Sequence, residues 1–163
     1  MAMVPFDKLG GKLWYNGELI DWDAGRLHIL SHGLHYGPCV FEGERAYGGE
    51  IFKHQEHTDR LFKSAEILGM EIPYSQKELY DAGYDSLQAQ GFKDAYVRAV
   101  AWRGSEMMAI SAQQTTTHVA VVCWDMGSYF DPEARMAGIK LQWAKYKRPS
   151  PECAPVHAKA AGL

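Results

Sequence analysis

The sequence predicts a mixed α/β domain whose sheet is largely antiparallel, and three observations predict it. Two pairs of short apolar runs are joined by Asn16-Gly17 and by Gly48-Gly49. Such dipeptides suit the positive-φ positions of tight hairpin turns. Two segments in the middle of the chain carry helical spacing together with helix-end residues. From Ala95 onward the apolar period changes to two, the period of a strand. A length of 163 residues fits one compact domain.

In order along the chain, residues 13–15 and 18–20 flank the Asn16-Gly17 turn, and 45–47 and 50–52 flank Gly48-Gly49. Between the hairpins, residues 26–43 are rich in His, Gly and aromatic side chains and have no clear periodicity. Gly33, Gly37 and Pro38 argue against a helix there. A helix is predicted over 54–68, where Leu61, Ala65 and Leu68 share a face and Gly69 supplies a C-terminal stop. His54 and His57, at its start, are expected to be solvated. Ser75-Gln76-Lys77-Glu78 is a capping box that opens a second helix, closed by Gly91. Strands are predicted over 95–102, 118–124 and 138–145. Residues 104–117 read as a polar connection with an apolar patch at Met107, Met108 and Ile110. Pro132, Pro149, Pro151 and Pro155 mark loops. The expected division is a small α/β domain over 1–145 and a connector over 146–163.

Composition narrows the function. Apolar residues make up 47% and charged residues 23%, enough for a core and against disorder. The net charge of -3, with Lys and Arg scattered, favours neither nucleic acid nor an anionic membrane. No apolar run is long enough to span a bilayer. Cys39, Cys123 and Cys153 are far apart and odd in number, which argues for a reducing compartment, and the chain is expected to be cytoplasmic.

Three groups of residues suggest chemistry. Arg98 lies in an apolar strand with Tyr96, Val100 and Trp102 on its face, so it must find an anion or several acceptors. One reading is a structural ion pair; the other is a planar fork for a substrate carboxylate, with Tyr96 beside it. His28, His32 and His35 have the spacing of a helical metal face, but the glycines and the absence of an HExxH pattern favour hydrogen bonds to a turn, and no metal site is expected. Lys159 sits among small residues in His157-Ala158-Lys159-Ala160-Ala161-Gly162. It reads either as a surface lysine or as an amine placed to form a Schiff base. No GxGxxG, P-loop or GxSxG motif occurs.

Longer motifs decide more than spacing does. The run Leu30-Ser31-His32-Gly33-Leu34-His35-Tyr36-Gly37-Pro38-Cys39-Val40-Phe41-Glu42-Gly43-Glu44-Arg45-Ala46-Tyr47 resembles the signature of branched-chain aminotransferases, class IV enzymes that use pyridoxal 5'-phosphate. Glu56-His57-Thr58-Asp59-Arg60-Leu61, Ala95-Tyr96-Val97-Arg98 and Ala158-Lys159-Ala160-Ala161-Gly162 follow in the family's order. The resemblance implies the N-terminal part of a D-amino-acid-aminotransferase-like fold, a two-layer domain to which the family adds a large C-terminal domain. It implies transamination between a branched-chain L-amino acid and 2-oxoglutarate. The alternatives are D-amino-acid aminotransferase or aminodeoxychorismate lyase activity on the same fold, or a non-catalytic fragment.

Residue by residue, the resemblance makes Lys159 the catalytic lysine that carries the cofactor and Arg60 the ligand of its phosphate. Phe41, Gly43, Tyr96 and Tyr129 match substrate-pocket positions, and Arg98 matches the residue that receives the distal carboxylate of glutamate. Met126 stands in the pocket where the family commonly has tryptophan. Tyr36 and Ile110 match positions that reach into the neighbouring subunit's site, which implies a homodimer with no nucleic acid or membrane partner.

Overall fold

The computed structural model describes residues 5–127 and 132–163. The first hairpin is β1 (Lys12–Tyr15) and β2 (Glu18–Asp21), turned at Asn16 (φ 48°) and Gly17 (φ 98°). After it come α1 (His32–Tyr36), β3 (Cys39–Phe41), and the second hairpin, β4 (Glu44–Tyr47) and β5 (Glu50–Ile51). Two longer helices follow, α2 (His54–Ile67) and α3 (Gln76–Gln90), then the long strands β6 (Ala95–Arg103) and β7 (Thr117–Trp124), and α4 (Pro132–Ala137). The strands form one antiparallel sheet in the order β2-β1-β7-β6-β4-β5, with β3 also paired to β6. The fold is thus mixed α/β with an antiparallel sheet, as the periodicity predicts.

Alternation along β6 and β7 assigns the two faces of the sheet. Val97, Ala99 and Ala101 pair with Cys123, Val121 and Val119, and all six are buried against α2 and α3. The alternate residues Tyr96, Arg98 and Val100 lie opposite Trp124, Val122 and Ala120 on the outer face, which no long helix among the described residues covers. One layer of helices on one face of a sheet leaves the other face for a site.

The predicted ends of the long helices hold. Ser75 accepts from the Glu78 backbone N–H while the Glu78 carboxylate accepts from the Ser75 N–H, and Gly91 ends α3 at φ 71°. In the middle of α3, Gly83 would cost stability were it only a helix residue. A Cβ there would stand 2.4 Å from His54 Nε2. That ring is fixed in the core, donating from Nδ1 to Glu44 Oε2 (2.7 Å) and from Nε2 to the Tyr80 carbonyl (2.9 Å). Gly83→Ala should therefore destabilise the protein by about 1–3 kcal/mol, the range for overpacking a core, against the usual gain for this exchange in a helix. Chemical denaturation is the check, and a more stable variant would refute the clash.

Four expectations are corrected. His54 is buried and His57 largely covered, because each ring serves a buried carboxylate rather than water. A five-residue helix forms at α1 despite Gly33, and Gly37 in the left-handed conformation (φ 85°) stops it. Gly33 suits the crowding there: a Cβ would lie 3.1 Å from the Pro38 carbonyl and from Trp102 Cβ, a tight contact. Pro132 opens α4 rather than a loop, at the first helical position, where proline's missing N–H costs nothing. Residues 138–145 form no strand: among the described residues they pair with nothing, and Trp143 is 98% exposed. A two-residue period records which side chains could share a face, but a strand also needs a neighbour to receive its hydrogen bonds.

The connection 104–117 is locked onto the sheet. His118 donates from Nε2 to Glu106 (2.6 Å) and accepts at Nδ1 from the Asn16 amide (2.8 Å), whose oxygen takes the Val119 N–H. Burial works against the Glu106 anion, but hydrogen bonds from His118, Thr116 and backbone N–H groups outweigh it and hold the carboxyl at about 2. A carboxyl depressed on folding stabilises the fold above its ordinary value near 4.5, and that contribution is lost as pH falls toward about 2. Glu106→Gln should flatten the acid limb of stability between those values, lowering stability at neutral pH and leaving it little changed near pH 2. Parallel acid limbs for the two proteins would count against the lock.

Candidate active site

The outer face of the sheet gathers the predicted site residues around one aromatic ring. Phe41 ends β3, and the Arg98 guanidinium lies 4.7 Å from its ring centroid. The Lys159 amine lies 4.8 Å from the same centroid. Tyr96 precedes Arg98 by one pleat period on β6, so its hydroxyl reaches back to accept from Arg98 Nη2 at 2.9 Å, and its ring lies 5.3 Å from the guanidinium. Gly43 makes room for it, since a Cβ there would stand 2.0 Å from the Tyr96 hydroxyl. Trp124 packs on Tyr96 with ring centroids 4.7 Å apart. The cross-strand register that places Trp124 there is not visible from local spacing.

Arg98 makes no salt bridge among the described residues, and its buried Nε has no hydrogen-bond partner. The ion-pair reading of this arginine is therefore not met there. Among the described residues, the guanidinium is held by two aromatic faces and a tyrosine hydroxyl, all uncharged. A buried donor without an acceptor costs free energy that a bound anion would recover.

Lys159 is held by its backbone. The Lys159 carbonyl accepts from Phe41 N (3.1 Å), Ala161 N donates to Cys39 O (2.8 Å), and Val40 and Ala160 form an antiparallel bridge. From the helix layer, Ser64 Oγ accepts the Lys159 N–H at 3.0 Å. Ala158 and Ala160 are buried, so small side chains on either side let this segment lie flat on β3.

One turn before Ser64 on α2 stands Arg60. Its Nε and Nη2 donate to the two oxygens of Glu42, each at 2.6 Å, and His57 Nδ1 adds a third bond at 2.7 Å. Burial pushes the Glu42 carboxyl up, yet the Arg60 and His57 hydrogen bonds prevail and it stays below the usual carboxylate range. Glu42, His57 and Ser64 are site neighbours that sequence reasoning missed. The titratable residues at 42, 57 and 60 were the available signal, but nothing local says they meet.

Other predicted residues lie apart. Tyr36 is half exposed at the end of α1, and Ile110 is 89% exposed. Both stand on one unit, because His32 N and Nε2 bond to the Gly104 and Ala109 carbonyls of the 104–117 connection. Met126 is partly covered just past β7, and Tyr129 lies outside the described residues. His28 and His35 bond to neighbouring backbone at Leu30 and Ile29, as a turn requires, and no cluster of three metal-ligating side chains is present among the described residues. No described helix is long and apolar enough to cross a membrane. An apolar cavity of about 510 Å³ lies beside the cluster, between the 25–37 segment and the sheet, lined in part by Leu34, Val100 and Trp102; neither Lys159 nor Arg98 borders it.

The chain that carries this lysine and arginine also matches a known family by sequence. Residues 39–161 match the family described as Amino-transferase class IV. The chain belongs to that family. It is a homologue of branched-chain aminotransferases: 40% identical over 166 residues to the branched-chain-amino-acid aminotransferase of Pseudomonas aeruginosa, covering 99% of this chain and 53% of that protein. It is 38% identical to a probable branched-chain-amino-acid aminotransferase of Rickettsia conorii, over 99% of this chain and 54% of that one. The chain therefore spans about half the length of these relatives. Among solved structures, the T.th. branched-chain amino acid aminotransferase with pyridoxamine 5'-phosphate superposes with a TM-score of 0.89 at 33% identity, over 94% of this chain and 52% of that one. That same relative has been solved with N-(5'-phosphopyridoxyl)-L-glutamate and with 4-methylvaleric acid.

Proposed function

We propose that the full-length protein transfers an amino group between a branched-chain L-amino acid and 2-oxoglutarate, giving the branched 2-oxo acid and glutamate. The observation that carries this reading is the Phe41 ring with the Lys159 amine and the Arg98 guanidinium 4.8 and 4.7 Å from its centroid. A site for both substrates needs an apolar wall for the branched side chain and a cation for the distal carboxylate, both near the reacting amine. The T.th. relative, solved with a glutamate adduct and with a branched aliphatic acid, supports the same pairing.

The donor set fits pyridoxal 5'-phosphate. Lys159 offers a primary amine on a fixed backbone. Arg60 has five N–H donors, of which Glu42 takes two, so an edge remains for a phosphate. When bound, the cofactor supplies the electron sink for the substrate carbanion. The chain's own residues then divide the work. Lys159 would hold the cofactor and would be the base that moves the proton at the substrate Cα. Arg60 would hold the phosphate. Arg98 takes the side-chain carboxylate of glutamate. With leucine bound it keeps its contacts to Phe41 and Tyr96, so the cation is not stranded. Gly43 and Met126 complete the pocket wall; Tyr129, assigned to it by its match to the family, lies outside the described residues.

The exposed apolar ledge of Ile29, Leu34, Tyr36 and Ile110 supports a homodimer in which Tyr36 and Ile110 border the partner's pocket. The domain reading, a small domain over 1–145 and a connector over 146–163, belongs to the same proposal. A panel of L-leucine, D-alanine and aminodeoxychorismate with the full-length protein tests it. L-leucine with 2-oxoglutarate should turn over fastest; a preference for D-alanine or for the lyase substrate would overturn the assignment.

A further inference from the structure

We propose that Glu42 is a positioning residue for the cofactor phosphate, fixing the Arg60 guanidinium so that its outer edge, not its Nε edge, meets the anion. This rests on Arg60 as the phosphate ligand and adds what orients it. Glu42 lies between two residues of the site, Phe41 and Gly43, yet its side chain is fully buried and faces α2. Its own N–H donates to Ala99 O at 2.8 Å, which ties it to the strand that carries Tyr96 and Arg98.

The geometry of the fork decides which donors remain. Glu42 takes Nε–H and one Nη2–H of Arg60, leaving both Nη1–H groups and the second Nη2–H along the far edge. The Arg60 side chain is about half exposed, so that edge is the accessible one. Arg60 and Ser64 are four residues apart on α2, on one face of the helix, and Ser64 binds the Lys159 N–H. The free edge and the lysine are thus served from the same helix face. A buried carboxylate with three charge-assisted donors is a rigid holder, whereas an arginine on an exposed helix turn would otherwise sample many rotamers. His57 completes the holder by binding the second Glu42 oxygen's other lone pair.

Two effects of Glu42 oppose each other. Its geometry orients Arg60, while its negative charge weakens the arginine's pull on a phosphate. The inference is that orientation dominates, because the charge is buried and shared among Arg60 and His57. The test compares affinity for pyridoxal 5'-phosphate with affinity for pyridoxal, which lacks the phosphate, in full-length protein stripped of cofactor. Glu42→Gln keeps the volume and loses one acceptor; it should weaken pyridoxal 5'-phosphate about tenfold and leave pyridoxal unchanged. Glu42→Asp, which keeps the charge but not the reach, should show the same selective loss and serves if the glutamine variant does not fold. Adding Glu42→Gln to Arg60→Ala should change nothing further. Equal weakening of both ligands makes Glu42 merely structural, and tighter phosphate binding makes its charge the larger effect; either result overturns the proposal. If Arg60→Ala alone keeps the wild-type preference for the phosphorylated ligand, the reading of Arg60 fails and takes this inference with it. If Arg60→Ala loses that preference while both Glu42 variants keep it, only the inference fails.

Discussion

Lys159→Ala in the full-length protein should abolish transamination and leave the fold intact. The fold should survive because the framework uses only the lysine's backbone: Ser64 Oγ takes its N–H, and its carbonyl takes the Phe41 N–H. Alanine keeps both bonds and, between Ala158 and Ala160, adds no strain. Activity should fall by more than the loss of one contact, since the amine is both the covalent anchor and the acid–base group. Acid–base catalysis alone contributes about 10²–10⁴ in rate. Borohydride reduction of the wild-type protein with cofactor, followed by peptide mapping, should find the phosphopyridoxyl group on Lys159. Its appearance on any other lysine would sink the assignment, as would a Lys159→Ala enzyme that still turns over.

The second large effect is selective. Arg98→Met should damage the half-reaction with glutamate far more than that with leucine. Methionine keeps roughly the volume and removes the charge, so glutamate would bury a carboxylate without a partner, a penalty on the order of several kcal/mol. Leucine loses no direct contact, and the freed faces of Phe41 and Tyr96 become wholly apolar. Single-turnover spectroscopy of each half-reaction separates the two, because cofactor recycling then drops out. If instead Arg98 only stiffens the sheet, both half-reactions should slow together and the melting temperature should fall. That second pattern would refute the substrate role and leave Tyr96 as a pocket wall. The uncharged surroundings of Arg98 favour the first: there is no described ionic partner whose loss would destabilise the strand.

Local chemistry made much of the fold legible. Asn16-Gly17 and Gly48-Gly49 turn where their positive-φ preference predicts, and the Ser75–Glu78 box caps α3. The alternation from Ala95 assigns Arg98 to a face with Tyr96. What was not legible is pairing between distant residues. Nothing in the sequence shows that Glu42 and Glu44 are buried; each is, because an imidazole, and for Glu42 a guanidinium, comes from α2 to meet it. The same blindness made His54 and His57 look solvated. It also produced a strand at 138–145, where Ile139, Leu141 and Trp143 alternate correctly but find no neighbour among the described residues. In the site, Phe41, Gly43, Tyr96, Arg98 and Lys159 were nameable from motifs and are brought together. Glu42 and Ser64, which align them, could be found only once β3 and α2 were packed.

The bridge between Val40 and Ala160 joins two parts of the site that lie far apart in the chain. During synthesis the chain emerges from its N-terminus, so both hairpins, α2, α3 and the β6–β7 pair are available before Lys159 appears. The lysine segment then docks onto an edge already built, and closing so long a loop is among the slowest steps a small domain makes. Among the described residues, docking is held by few bonds and buries little beyond Ala158 and Ala160, so the segment is set to open before the sheet beneath it. Amide exchange at Lys159 and Ala161 should then report on the readiness of the site separately from the stability of the sheet beneath it.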